Sequence, residues 1–590
     1  MPSSRPPSPA AAGNGWRCAV GGVARVLSPR GAFALHRVDG ALTFALRAAL
    51  AMALPAVPTV LAGRPELAVY AMLGSFTTSF GRNLPYAHRA RALAWVALAM
   101  TVCVGCGSAL AAWAHPEAGG AGAGVVVAAT AVVAGLAKFT CDAMRLSGLG
   151  TVLLIFSFAV AANSASTASG VLPQTGMAAV GAAVAWMLAV AGWLVHPDRP
   201  QRLAVAAALR ELADLLEQSP DAVHGIRFSR HRATSAVLQA YRCLGLSPPV
   251  ATERGDRGGV CTRLTDLAWS LLIGSARRLP HEPDVLAGHL RRQVPLLTDR
   301  RRRDPPLLSE LSFPSAAARA GVTSGMPEPG PEEADASSER AAELLEGRRP
   351  GGSSRLSVLA VPALRMFLGT GLAGALAYLL GFGHDYWAAI SAAAVLHSVN
   401  VRTTVQRAVQ RTLGTFVGLL IALGVLAADP GPTTLVLVIV GLEFLLEYVV
   451  VSNYGLGVVF VTPLALLLTD LVAREPAGEL VQDRALSSIL GIIVGLACAL
   501  LVVHDRAAVR VERALAGFGE AAERAERALA ERAESSFPEV QQHLAAAVVE
   551  LREADDAAAG EVWQSEIDPA ELAAAEQRAY LLLERFVRWR

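Results

Sequence analysis

The chain has 590 residues, of which 53% are hydrophobic and 17% charged, against about 25% charged in soluble domains, and its mean hydropathy is +0.42. That composition excludes an ordinary soluble protein, and a net charge of +2 gives no excess of one sign that would recruit nucleic acid. The one lysine, Lys138, stands in Gly-Leu-Ala-Lys-Phe-Thr rather than the Gly-Lys-Ser/Thr of a phosphate-cradling loop, and neither HExxH nor GxSxG occurs, so no enzyme nucleophile, metal site or cofactor is expected.

Residues 1–38 read as a disordered cytoplasmic N-terminus, Pro/Ser/Ala-rich over Met1 to Gly15, with no apolar stretch of signal-peptide length. Six apolar segments follow, near Ala41 to Ala62, Glu66 to Phe80, Ala92 to Trp113, Gly122 to Ala137, Leu146 to Ala162 and Met177 to Val195. Six more lie near Val358 to Gly381, Tyr386 to Val399, Thr412 to Ala427, Thr433 to Val451, Gly455 to Leu471 and Leu486 to Val503. The expected fold is all-α and polytopic, with about twelve transmembrane helices of about 20 residues each, as two six-helix repeats over residues 39–196 and 355–504. A constant offset of 318 residues brings Arg47 onto Arg365, Ala71 onto Ala389 and Arg89 onto Arg407, and an even number of spans makes such repeats parallel. Several segments, the second and eighth above all, fall short of a full span.

The seven cysteines show no paired framework; Cys103 and Cys106 form CxxC inside an apolar run with no second pair or histidine nearby. Loop charges set the orientation. Arg82, His88, Arg89, Arg91, Lys138, Arg145, Arg199 and Arg202 fall on one side, while His115 to Ala121 and Asn163 to Thr175 carry no Lys or Arg. By the positive-inside rule both termini are expected to be cytoplasmic; the membrane expected is the inner or plasma membrane. The one dissenting loop, Arg474 to Arg484, is of mixed charge and would lie outside.

Between the repeats, residues 197–303 read as a cytoplasmic helical module, with Leu203, Ala206, Leu209, Leu212 and Leu216 at helical spacing. In it, Arg291, Arg292 and the run Arg300 to Arg303 suit either solvent or anionic lipid. Residues 304–354, rich in Pro, Glu, Ser and Gly, read as a disordered linker, and residues 505–590 as a helical cytoplasmic tail broken at Pro538 and near Pro569.

Chemistry concentrates in the second repeat. Gly383-His-Asp-Tyr-Trp-Ala-Ala-Ile leads to His397-Ser-Val-Asn-Val-Arg402, then Arg407 and Arg411-Thr-Leu-Gly-Thr-Phe-Val-Gly418, followed by Glu447-Tyr, Asn453-Tyr454-Gly and Val461-Thr-Pro-Leu464. This passage, over Arg365 to Val503, resembles the fusaric acid resistance and aromatic acid exporter family of integral membrane proteins. The first repeat shares the layout, with Ala68-Val69 standing where Tyr386-Trp387 would fall. The resemblance implies efflux of aromatic carboxylates and similar amphiphilic compounds driven by the proton motive force; a passive organic-anion channel is the alternative. It also suggests a homodimer.

The residues themselves fit either a transport site or simpler roles. Glu443 and Glu447, four apart in an apolar helix, share one face. A charge at mid-bilayer costs about 2.5–3.5 kcal/mol, and two adjacent carboxylates repel, so the pair suits proton coupling; at the membrane boundary it would be inert. Arg365 and Arg47 suit pairing with a carboxylate or an anionic substrate, or snorkelling. Arg402, Arg407 and Arg411 form a cytoplasmic mouth for organic anions or a topology signal. Tyr386 and Trp387 suit an interfacial belt or stacking on an aromatic substrate. Asn453, Tyr454 and Pro463 shape a broken helix that lines a substrate cavity.

Overall fold

The computed structural model describes residues 40–82, 84–116, 119–144, 146, 150–164, 166–218, 223–246, 248, 259–275, 282–299, 301, 305–311, 352–398, 401–472, 476–501, 506–559 and 568–588. Among these, every regular element is helical. The N-terminal segment 1–38, most of the expected linker, and Arg145, Asn400 and Arg474 lie outside the described residues.

The first membrane group is α1 (Ala41–Leu61), α2 (Pro65–Ser75), α3 (Tyr86–Ala114), α4 (Ala121–Ala143), α5 (Gly150–Ala162) and α6 (Val171–Val195). The second is α11 (Gly352–Leu379), α12 (Tyr386–Leu396), α13 (Val401–Ala427), α14 (Pro432–Val449), α15 (Tyr454–Val472) and α16 (Ala477–Leu501). Among the described residues nine helices are long and apolar enough to cross a membrane. Exposed Leu46, Leu50, Leu54, Trp95, Phe416 and Ile493 give them the greasy outer surface that lipid requires and water forbids.

The other three apolar segments are shorter than a span. α2 and α12 have 11 residues and α5 has 13, about 16–20 Å at 1.5 Å per residue. Nearly every residue of α5 and α12 is buried, because these helices sit inside the bundle, walled by protein rather than lipid. A short helix there leaves backbone ends at membrane depth, which is tolerated where neighbouring protein satisfies them.

Packing follows one scheme in both groups. α2 lies against α1 and α6, and α12 against α11 and α16; α3 meets α5 and α6, and α13 meets α15 and α16; α4 meets α5, and α14 meets α15. Across the groups α1 runs along α14 and α4 along α11. Residues of both groups share one apolar core, from Met52 and Phe76 to Trp387 and Leu468.

A second core belongs to the remaining helices: α7 (Arg199–Leu216), α8 (Val223–Leu244), α9 (Val260–Gly274), α10 (Pro283–Thr298), α17 (Arg506–Glu531), α18 (Phe537–Ala559) and α19 (Pro569–Arg588). Insert and tail, read separately in the sequence, thus bury their apolar faces against each other. Polar contacts fix the join: Arg227 pairs with Glu576 at 2.9 Å, and the Thr234 and Tyr580 hydroxyls lie 2.8 Å apart. The chain stays on this module beyond residue 303: Leu311 is buried and the Leu308 N–H donates to Gln293 Oε1 at 2.9 Å. Arg291 reaches Asp214 and Glu217 at 2.8 and 2.6 Å; of the basic run, Arg300, Arg302 and Arg303 lie outside the described residues.

Candidate anion-binding site

Four helices of the second group converge through small residues. On α16, a Cβ at Gly491 would meet the Ala388 carbonyl oxygen of α12 at 2.2 Å, so only glycine permits this approach. On α13, Gly414 and Gly418 do the same against Gly455 O and Val459 O of α15, at 2.7 and 2.8 Å, a small-xxx-small seam of the kind that draws membrane helices together.

That convergence brings Tyr386, Trp387, Arg411 and Tyr454 together. Arg411 donates through Nη1 to the Tyr454 hydroxyl at 3.5 Å and through Nη2 to Ser391 Oγ at 3.4 Å. Arg407, one turn earlier, lies over the Tyr454 ring with its guanidinium carbon 5.1 Å from the centroid. Tyr386 and Trp387 have ring centroids 4.7 Å apart.

The structure adds a residue that loop reading misplaced. α16 begins at Ala477, nine residues before the apolar run, so Arg484 is no external loop residue but part of the helix, 2% exposed. Its guanidinium carbon stands 3.9 Å above the Trp387 ring, and its strongest charged neighbour is Arg411. A start signal was present: Pro476 and then Glu479 in the first turn are the usual opening of a helix.

Two buried guanidiniums therefore lie within electrostatic reach of each other, and the groups acting on Arg484 are Arg411, Tyr386 and Tyr454 rather than a carboxylate. Arg484 Nε and Nη1, Arg411 Nε and Trp387 Nε1 have no hydrogen-bond partner among the described residues, and neither do the Thr415 and Ser488 hydroxyls one turn further along α13 and α16. A buried, unpaired charge is costly in a low-dielectric interior. Such a strip of donors beside aromatic faces is complementary to a carboxylate carried on a flat apolar ring.

Other candidates lie elsewhere. Arg365 donates through Nη2 to Leu396 O and Ser398 O at 2.9 and 2.8 Å, closing the C-terminal end of α12. Asn453 Oδ1 accepts from the Gly455 and Leu456 N–H groups at 2.7 and 3.3 Å, capping the start of α15. Both side chains thus serve helix ends, sites that hydropathy alone does not locate. The expected mouth becomes a graded row, because α13 begins at 401 and carries all three arginines: Arg402 exposed, Arg407 half-buried, Arg411 buried. In the turn before α12, burial pushes the Asp385 carboxyl up to about 6.

Glu443 and Glu447 are both buried on α14, but away from the arginine pair. Ser79, in the 3-10 turn Phe76–Ser79 after α2, donates to Glu447 Oε1. The nearest positive charges are Arg82 and Arg47. Glu443 Oε2 has no partner among the described residues.

Long apolar helices around short buried ones, with charge enclosed in the bundle, define a multi-pass membrane protein. Residues 372–498, about a fifth of the chain, match the family described as fusaric acid resistance protein-like, inside the stretch whose motifs carry the resemblance. Over 485 residues the chain is 24% identical to the uncharacterized membrane protein YvaC of Bacillus subtilis (strain 168), covering 80% of this chain and 74% of that protein. No solved structure matches.

Proposed function

We propose that the protein is an efflux transporter of the inner or plasma membrane, exporting aromatic carboxylates and similar amphiphilic anions in exchange for protons. The observation that carries this reading is the buried Arg411–Arg484 pair, with donors unpartnered among the described residues and Trp387 and Tyr454 against it. The family match and the helical membrane fold point to transport rather than catalysis.

In this reading the membrane domain has twelve helices in two repeats, with cytoplasmic termini. Each group's second helix packs on its own first and sixth, and its first packs on the other group's fourth. Even the glycine seams correspond: a Cβ at Gly181 of α6 would meet Ala71 O of α2 at 1.9 Å, as Gly491 of α16 meets Ala388 O of α12. Glu443 and Glu447 serve as the proton carriers. Two buried carboxyls one turn apart repel when both are ionised, so a proton held between them relieves the repulsion.

A passive anion channel is favoured by one feature, the graded row Arg402, Arg407, Arg411. The two readings separate in proteoliposomes. With an imposed pH gradient, labelled benzoate is expected to accumulate above equilibrium for the wild type and only to equilibrate for Glu447→Gln. Flux that merely relaxes to equilibrium in both proteins overturns the exporter and leaves the channel.

A further inference from the structure

Where α4 runs along α11, a gap lies between the two membrane groups. Val126 and Thr130 of α4, Asn163 just after α5, Gly374 of α11, and Asp385 and Tyr386 at the start of α12 line it. The gap is narrow: a Cβ at Gly374 would stand 3.1 Å from Val127 Cγ1 and 3.7 Å from the Ala389 Cβ. Among the described residues of the lining Asp385 alone carries a carboxyl, and it is 8% exposed.

Little around that carboxyl favours its ionised form. Asp385 holds the N-cap position of α12, yet its side chain makes no capping hydrogen bond. The polar side chains that the first group brings to the gap turn to their own backbone: Thr130 Oγ1 donates to Val126 O at 2.8 Å, and Asn163 Nδ2 to Ala159 O at 2.8 Å. The titratable groups around Asp385 are His384 in its own turn, Tyr386 of α12, and Asp483 of α16 behind His384; α4, α5 and α11 bring no charged residue to the described lining. His384 Nδ1 lies 3.3 Å from Asp483 Oδ2, so that ring already faces another carboxylate. A carboxyl buried without a cation of its own is held more readily neutral than charged.

On the reading that both termini are cytoplasmic, α11 arrives at the outer face and α12 leaves it, which puts Asp385 at the outer end of the bundle. Glu447 lies toward the other end, close to the C-terminus of α14 and hydrogen-bonded by Ser79. An exchange driven by external protons needs an acceptor on the outer side, where Glu443 and Glu447 do not reach.

We propose that Asp385 is that acceptor: it takes a proton from the external side, and the gap between the groups closes over the neutral carboxyl. The inference rests on the transport reading and adds the outer end of its proton path. Burial pushes the Asp385 carboxyl up to about 6, whereas an aspartate open to water titrates at about 3.9. The closed gap therefore binds the proton more tightly than the open one, so acid favours closure and the preference fades as the pH rises through about 6. Closure reaches the anion site through two short stretches of chain. His384, Tyr386 and Trp387 form a row of rings with successive centroids 5.8 and 4.7 Å apart, and Asp483, the partner of His384, directly precedes Arg484, which stands on Trp387.

Infrared spectroscopy of the full chain in lipid nanodiscs tests the proton site without any transported substrate. One component of the C=O stretching band of protonated carboxyls is expected to titrate in the wild type with a midpoint of about 6, to be missing in Asp385→Asn, and to return in Asp385→Glu. In proteoliposomes with an imposed pH gradient, labelled benzoate is expected to accumulate above equilibrium for Asp385→Glu and only to equilibrate for Asp385→Asn. A titrating component that persists unchanged in Asp385→Asn, or accumulation by Asp385→Asn equal to that of the wild type, overturns the proposal. Failure of the wild type to accumulate benzoate overturns the transport reading, and the infrared titration then still decides whether Asp385 holds the proton.

Discussion

Replacing Arg484 by methionine is expected to raise the thermal stability of the purified protein while ending its transport of aromatic carboxylates. The two effects have one cause. Arg484 is enclosed, its Nε and Nη1 are without partners among the described residues, and its charged neighbour is another arginine. Burying an ion without compensation costs several kcal/mol, and apolar residues of similar volume in place of buried charge often stabilise by about 1–4 kcal/mol. Methionine keeps the volume and the contact with Trp387 and removes the charge. Differential scanning fluorimetry in nanodiscs checks the first half and liposome flux the second. Arg484→Lys is expected neither to support transport nor to share the stability gain of Arg484→Met, because a buried charge remains and an ammonium cannot lie flat on the indole at 3.9 Å and offer a planar fork to a carboxylate. A fall in melting temperature in Arg484→Met would mean that the guanidinium holds the fold together rather than waiting for a ligand.

Gly491→Ala is expected to destabilise the protein by about 1–3 kcal/mol, the usual range for overpacking a close contact, and to weaken substrate binding as well. The new methyl would fall 2.2 Å from Ala388 O and 2.8 Å from the Ser391 Cβ, so α16 must move off α12. Those helices carry Arg484 and Trp387, and Ser391 is a partner of Arg411; separating them opens the site. Gly424→Ala on α13 is the control. Nothing lies within 4 Å of a Cβ there, and alanine's better helix propensity, about 1 kcal/mol over glycine, makes that change neutral or mildly stabilising. Melting temperatures of the two single variants against the wild type decide it: a Gly491→Ala protein as stable as Gly424→Ala would contradict the seam.

The residue types at the site were largely legible before the structure, because aromatics and cations in apolar segments are conspicuous. Tyr386, Trp387, Tyr454 and Arg411 stood out on that ground. Arg484 did not, because hydropathy ends a segment at its first charges while the helix runs on wherever protein covers them. Arg365 stood out for the same reason and Asn453 as part of the Asn-Tyr-Gly motif, yet both serve helix ends, and where a helix ends depends on tertiary contacts that a local pattern does not contain. The Glu443–Glu447 spacing was readable as one helix face. What that face meets was not, since Ser79 lies 368 residues away in the chain. The offset of 318 residues matched Arg47 with Arg365, but equal position did not mean equal work: Arg365 closes α12, whereas Arg47 stands over Phe44 near Glu447. The amphipathic helices of insert and tail were visible by period, and period says that a face is covered without saying by what.

If Arg411 and Arg484 form the proposed anion site, equilibrium binding of labelled benzoate to the purified full chain in nanodiscs must depend on them. The wild type is expected to bind saturably, and Arg484→Met to bind at least about tenfold more weakly, as loss of a charge-assisted hydrogen bond of about 1.5–3 kcal/mol requires, while remaining folded. Undiminished binding by folded Arg484→Met would mean that the anion binds elsewhere.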